Sequence, residues 1–305
     1  MAATVAAERA HTVQWMDARE RQYRRSTVWR RRLIAIVALV VVGIVAWRVV
    51  VGALGPDTAG ASVEHFTIKS KAVGRSLPVA VVLPPGDDGA ERRPMLVFLH
   101  GRGGDEDSEQ VDEFFAALAE LGDRAPVVAF PYGGDHSYWH NRADGEWATY
   151  VVDEVIPQVA NRYGGDEDRV AVGGISMGGF GAFGLALHYP GRFCGVGGHA
   201  PALWQTGAET APGAFDDEED FERNDVIQAA VSNPSPFTSQ PVWVDAGAQD
   251  PFQPGDQAFA DDLRADGAQA TIKLDRPGGH DGDYWNSHWG EYLRFYADAL
   301  ADCGH

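Results

Sequence analysis

Ser176 stands in Gly174-Ile175-Ser176-Met177-Gly178, between the apolar run VAVGG and the small-residue stretch MGGFGAFGLALHYP. A serine at such a strand-to-helix junction sits in a strained turn that projects its hydroxyl off the sheet, and flanking glycines let neighbouring backbone approach without Cβ collisions. The hydroxyl alone is a poor nucleophile. It needs a base, and the base needs an acid to fix its tautomer. On this kind of scaffold the chain order is Ser, then acid, then His. Downstream, VWVDAGAQDPF supplies Asp250 and RPGGHDGDYW supplies His280. Each falls in a loop leaving the carboxyl end of an expected strand, the edge where α/β sheets gather their sites. The chemistry such a trio performs is nucleophilic acyl transfer. Asp245 is the rival acid, but at the end of its own strand it reads as a structural hydrogen-bonding group. His288 and His305 fall in or after the last expected helix, and His188 ends the helix that follows Ser176.

Attack on a carbonyl builds negative charge on its oxygen, which two waiting N–H groups must receive. Met177, the residue after the nucleophile, offers one. LVFLHGRGGD, after the third expected strand, offers the other, and Arg102 is the donor expected there. His100 in the same stretch is expected to be structural.

Other patterns do not fit this chemistry. Gly179-Phe180-Gly181-Ala182-Phe183-Gly184 matches a dinucleotide fingerprint, but it begins inside the helix, and Trp204 stands about twenty residues on where an acid is needed. His136 and His140 share the loop HSYWH, which reads as a pocket wall rather than a metal site. Trp139, Trp204 and Trp285 fall in loops near the expected site, where a ring could stack on a sugar or an aromatic group. Gly213–Asn224 (GAFDDEEDFERN) reads as a solvated acidic loop or cap. No residue asks for a cofactor or a metal.

The elements that must position these groups alternate along the chain as in an α/β fold. Expected strands are Val63–Ile68, Leu77–Leu83, Met95–Leu99, Val127–Phe130, Val170–Gly173, Gly195–His199, Val242–Asp245 and Thr271–Leu274. Expected helices are Ser108–Leu121, Trp147–Tyr163, Met177–His188, Asp256–Ala265 and Trp285–Ala301. The first two strands form an antiparallel lead-in, and the later ones have helical crossovers suited to a parallel sheet.

Charge divides the 305 residues sharply. Residues 1–32 hold eight Arg and three acids, a net of +5, whereas residues 56–305 hold 16 basic and 41 acidic residues, a net of −25. Nucleic acid is an unsuitable partner for so acidic a body. Between the two lie 23 residues, 33–55, apolar except for Arg48. As a helix they span roughly 34 Å, enough to cross a bilayer core. The Arg cluster before them predicts a cytoplasmic N-terminus and an external C-terminal domain. The chain is thus expected to comprise a basic tail (1–32), a transmembrane anchor (33–55), a linker (56–62) and a catalytic domain (63–305). The rival is a cleaved signal, with Ala59-Gly60-Ala61 as the small-residue site, although the tail is long and the apolar run exceeds the ~7–15 residues of a signal core. Either way the acidic domain ends outside the cytosol, where Cys194 and Cys303 are compatible with a disulfide.

With these pieces assembled, the chain resembles the esterase D and antigen 85-like branch of the α/β-hydrolases, which includes feruloyl and acetyl esterases and mycolyl transferases. The resemblance rests on LHGRGGD, FPYGGDHSYWHN, DEVIPQVANRYG, GGISMGGFGAF, AGAQDPF and GGHDGDYW, in order over roughly residues 63–302. It implies an α/β-hydrolase fold, a mostly parallel sheet with helices on both faces. It also implies Ser176 as nucleophile, Asp250 as acid, His280 as base, and Arg102 and Met177 as oxyanion donors. The substrate implied is a small-molecule or glycan ester, with water or a sugar hydroxyl taking the acyl group, and no cofactor is involved. A membrane-tethered binding protein on the same scaffold and a serine peptidase are the alternatives.

Overall fold

Met95, Val97 and Leu99 face one side of the strand Arg93–Leu99, and Leu96 and Phe98 face the other; all five are fully buried. A strand apolar on both faces must be covered on both, which calls for helices above and below. The computed structural model describes residues 55–303 except 88, 90 and 91, together with residues 34, 36–38, 40, 42 and 43. The chain divides after Pro56, and every described strand belongs to the second unit, Asp57–His305.

Eight strands build that unit's main sheet: β1 (Ser62–Lys69), β2 (Ser76–Leu83), β3 (Arg93–Leu99), β4 (Val127–Pro131), β7 (Gly165–Ile175), β8 (Val196–His199), β9 (Val242–Gly247) and β10 (Ala270–Arg276). A two-residue pair, β5 (Asn141–Arg142) and β6 (Gly145–Glu146), stands apart. The spatial order is β1-β2-β4-β3-β7-β8-β9-β10. Within this sheet β2 is antiparallel to both β1 and β4, and every other pairing is parallel. This is the mostly parallel sheet expected from the alternation of elements.

The helices are α1 (Asp112–Glu120), α2 (Trp147–Thr149, continued through a π segment Tyr150–Val155 into Ile156–Tyr163), α3 (Met177–His188), α4 (Glu218–Asn224), α5 (Val226–Ser232), α6 (Ser235–Thr238), α7 (Gln253–Ala265), α8 (Gly282–Asn286) and α9 (Trp289–Ala301). α2, α3 and α7 cover one face, burying Val155, Val159, Leu185 and Phe259. α1 and α9 cover the other, burying Phe114, Leu118, Tyr292 and Leu300. A disulfide, Cys194–Cys303, fastens the loop before β8 to the segment after α9.

Three local expectations change. The helix expected over Trp285–Ala301 is two helices. Ser287 Oγ and His288 Nδ1 both donate to the Tyr284 carbonyl, at 2.7 and 2.6 Å, so side chains take an acceptor that the backbone ladder would use. The acidic stretch 213–224 is not merely a solvated loop. Its second half is α4, capped by Asp217 accepting from the Asp220 amide, and Asp220 is wholly buried. α5 and α6 have no counterpart among the expected helices; α5 is announced by Asp225, which caps the amides of Ile227 and Gln228.

The basic tail and the apolar run 33–55 lie outside the described residues except at the few positions named. There Ile34, Ile36, Val37, Val40 and Val42 are helical and exposed. Among the described residues no helix is long and apolar enough to cross a membrane.

Candidate active site

Ser176 occupies the single residue between β7 and α3, with φ 55° and ψ −115°. Positive φ in a non-glycine residue costs free energy and persists only where the surroundings enforce it. Here the Ser176 amide donates to the His199 carbonyl on β8 at 3.0 Å, and the Ser176 carbonyl accepts from the Ala202 amide at 3.0 Å. The turn is tight enough that a Cβ on Gly178 would overlap the Leu99 carbonyl at the end of β3, so only glycine fits there.

The loops after β9 and β10 are zipped together. Ala248 N–H donates to the Arg276 carbonyl at 2.7 Å and Gln249 N–H to the Gly278 carbonyl at 3.0 Å. That pairing sets Asp250 beside His280. Asp250 Oδ2 accepts from His280 Nδ1 at 2.8 Å, and Oδ1 accepts from the Phe252 amide at 2.9 Å. The other ring nitrogen, Nε2, lies 2.8 Å from Ser176 Oγ and accepts its proton. Ser176, His280 and Asp250 therefore form one hydrogen-bonded line. The Asp250 side chain is fully buried and that of His280 is 21% exposed. Phe252 and Trp285 flank the imidazole, with ring centroids 5.1 and 5.2 Å away.

Beside this line, Gly101 approaches so closely that a Cβ on it would touch Ser176 Cβ at 3.4 Å. Gly103 N–H donates to the Asp135 carbonyl and Gly104 N–H to the Gly101 carbonyl, which fixes the turn through Arg102. Met177 is the first residue of α3, so its amide has no carbonyl within the helix to bond. A cleft of about 810 Å³ opens over Ser176 and His280, with Arg102 on its rim and Val111, Tyr138, Phe252 and Trp285 on its walls. The arrangement can deliver an alkoxide to a carbonyl and take the proton away.

The family model described as "Putative esterase" matches residues 70–296. The chain belongs to this esterase family. It is 30% identical over 145 residues to Esterase Rv1288 of Mycobacterium tuberculosis, covering 45% of this chain and 31% of that protein. It is 29% identical over 172 residues to the MPT51 antigen of Mycobacterium leprae, covering 52% and 51%. The chain thus spans about a third to a half of the length of these curated relatives. Among solved structures a ferulic acid esterase superposes with a TM-score of 0.69 at 20% identity, over 79% of this chain and 98% of that one. At that identity the likeness speaks for the fold.

The remaining expected residues fall in different places. Asp245 is wholly buried behind the line and accepts four hydrogen bonds, from His199 Nδ1, Trp243 Nε1, Tyr284 Oη and Tyr292 Oη, at 2.7–2.8 Å. Burial pushes its carboxyl up, but these donors, His199 foremost, bring it below the usual carboxylate range. His199 is in turn lowered by its own burial, and its Nε2 accepts from Tyr296 at 2.8 Å. Asp256, wholly buried in α7, has neither oxygen paired. Burial, with Asp250 and Asp245 nearby, raises it well above the usual range. His100 holds structure: Nε2 accepts from the Gly133 amide at 2.9 Å while Nδ1 donates to the Gly101 carbonyl at 2.8 Å, and burial lowers its pKa.

His140 bonds Asp220 at 3.0 Å, both side chains being buried, and so ties the acidic insertion to the 133–140 loop. Among the described residues no group of three or more His, Cys, Asp or Glu is placed to hold a metal ion. Of the three tryptophans expected near the site, Trp285 lines the cleft. Trp139 does not; it is 1% exposed and packs under His100 where Gly181 makes room for its ring. Trp204 packs between Tyr138 and Phe252. Sequence reading missed Glu109, which lines the cleft yet sits in a run of acids that looks solvated. It also missed Tyr284, which shares the GGHDGDYW stretch with His280 and so lay in view.

Proposed function

We propose that this chain is a serine hydrolase of carboxylic esters that works by acyl transfer through Ser176, His280 and Asp250. The observation that carries the reading is the unbroken hydrogen-bonded line of these three side chains at an elbow of positive φ. Ser176 Oγ attacks the ester carbonyl as His280 Nε2 takes its proton, and Asp250 stabilises the imidazolium through Nδ1–H. The tetrahedral oxygen receives the Met177 and Arg102 amides. His280 then passes its proton to the departing alcohol, leaving an acyl-Ser176. Water or a sugar hydroxyl, deprotonated by His280, attacks that ester and frees the serine. The names of the family and of the ferulic acid esterase it superposes on support ester chemistry.

The test is Ser176→Ala on p-nitrophenyl acetate, where a loss on the order of 10⁴–10⁶ in turnover is expected. Unchanged hydrolysis rejects the assignment. Peptide cleavage without ester hydrolysis favours a peptidase, and a chain inert to esters and to fluorophosphonate favours a binding protein. Adding trehalose or another sugar separates transfer from hydrolysis by product.

The reading extends to location. Residues 33–55 are read as a membrane span, with the Arg-rich tail inside and the catalytic unit outside. The charge asymmetry and the Cys194–Cys303 disulfide, a bond typical of oxidising compartments, support it. Protease treatment of intact cells should remove the catalytic unit; protection of that unit overturns the topology, and recovery from the medium of a chain lacking residues 1–61 favours signal cleavage.

A further inference from the structure

Residues 56–305 hold 16 basic residues in a stretch of net charge −25, and four of them, Arg92, Arg93, Arg124 and Arg169, line one cavity of about 510 Å³. It opens at the amino ends of β3 and β7, whereas Ser176 follows the carboxyl end of β7. The six steps of β3 from Arg93 to Leu99 separate the two ends by roughly 20 Å.

Contacts across the fold gather the arginines. Arg93 Nε donates to Asp87 Oδ1 at 3.2 Å, and its Nη1 donates to the Asp123 and Ala125 carbonyls at 3.3 and 3.4 Å. Arg124, between those two residues, donates from Nη1 to Asp298 Oδ1 on α9 at 2.6 Å. Arg169 Nη2 donates to the Leu300 carbonyl, half a turn further along α9, at 2.9 Å. Donors are left over. Arg93 Nη2, Arg124 Nη2 and Arg169 Nη1 have no partner among the described residues. The Arg93 and Arg124 side chains are 22% and 53% exposed, and Arg92 is exposed too; Arg169 Nε is shielded and takes no part.

The acids present do not cancel this charge. Asp87 is spent on Arg93 and Asp298 on Arg124, which leaves Asp123 facing both Arg92 and Arg169. A guanidinium plane offers paired N–H groups at the spacing of two oxygens of a phosphate or a carboxylate. A carboxylate has two oxygens to give, whereas a phosphate group has enough for guanidinium groups on several sides. The acidic body as a whole repels anions, so capture here depends on direct contact with these side chains.

We propose that this cavity binds a phosphate group. Two sources carry that chemistry, soluble phosphate and the headgroup of an anionic phospholipid. The chain enters β1 at this same end of the sheet: Ser62 pairs with Leu83, Val82 with Val128, and the adjacent Val127 with Met95. A headgroup source rests in addition on the membrane reading of residues 33–55; a soluble source does not.

The full chain in uncharged detergent is melted at constant ionic strength with rising inorganic phosphate, and separately in micelles with a rising fraction of phosphatidylglycerol or of zwitterionic phosphatidylcholine. A ligand of the native state raises the melting temperature, and the midpoint of the rise reports affinity. A saturable rise is expected with phosphate or phosphatidylglycerol and none with phosphatidylcholine. Response to phosphate names the soluble source, and response to phosphatidylglycerol alone names the headgroup. Replacing both exposed arginines, Arg92→Gln with Arg124→Gln, shifts the midpoint about tenfold, whereas Arg264→Gln on α7 leaves it in place. Arg169→Lys keeps the charge and loses the fork; it weakens binding several-fold and decides the matter if the double variant does not fold. No saturable rise in either arm, an equal response to phosphatidylcholine, or midpoints unmoved by these variants overturns the site. Ester hydrolysis enters none of these readouts, so failure of the acyl-transfer reading leaves the result standing.

Discussion

The Tyr284 hydroxyl donates to Asp245 Oδ2 at 2.7 Å, tying the turn that carries His280 to the strand that leads into Asp250. Asp245 makes no contact with the nucleophile, yet it anchors Tyr284, Tyr292, Trp243 and His199, which come from α8, α9, β9 and β8. A buried carboxylate with four donors is a rigid junction. Tyr284→Phe removes one donor and leaves the packing. It should cost about 1–2 kcal/mol in urea unfolding and lower kcat several-fold with little change in KM, as the His280 turn loosens. Lost stability with an unchanged kcat would mean that the bond holds only the fold.

The two acids on the β9 side should part company under the same substitution. Asp250→Asn keeps its shape but offers the wrong partner to His280 Nδ1, so kcat should fall by about 10³–10⁴ while the melting temperature barely moves. Asp245→Asn puts an amide among four donors and strips a buried charge from them. A loss of roughly 3–5 kcal/mol is expected, read by thermal melting before any assay. The reverse pattern would exchange their roles.

Much of the site was legible because its chemistry is local. Ser176, Asp250 and His280 each follow an apolar strand, and strand order alone carries them to one edge of the sheet. Strand positions were legible for the same reason: residues buried on both faces leave continuous runs of Val, Ile and Leu. What escaped depends on pairing across long separations. Asp220 looks like one of a row of solvated acids until His140, 80 residues earlier, is set against it. Trp139 reads as a loop residue until Gly181 opens a space for its ring. Glu109 lies among Asp105, Glu106 and Asp107, and only burial against the cleft separates it from them.

The Cys194–Cys303 disulfide closes a loop of 109 residues that includes β8, β9, β10 and both catalytic partners of Ser176, Asp250 and His280. Cross-linking residues so far apart removes much chain entropy from the unfolded state, about 5 kcal/mol in the loop-entropy description. Cys303→Ser should therefore lower the melting temperature by on the order of ten degrees, and adding reductant to the wild type should reproduce that shift. A reductant-insensitive melt would show that the cross-link adds nothing to stability.

Glu109 gives stability a pH dependence opposite in sign to that of a paired carboxylate. Unfolded it titrates near 4.5; folded, burial raises it to about 8. Across that interval the native chain keeps a proton that the unfolded chain releases, so its contribution is whole below about pH 4.5 and is lost as pH rises toward 8. The limiting slope is about 1.4 kcal/mol per pH unit. Glu109→Gln has no such proton. Measured by urea unfolding near pH 5, 6.5 and 8, its stability relative to wild type should climb steadily and level off above about 8. His199 and His100, lowered by burial, act in the other direction, losing their contribution as pH falls below 6.5, but both proteins share them and they cancel in the difference. A difference that stays flat between about pH 5 and 8 would mean that Glu109 is already ionised in the native cleft.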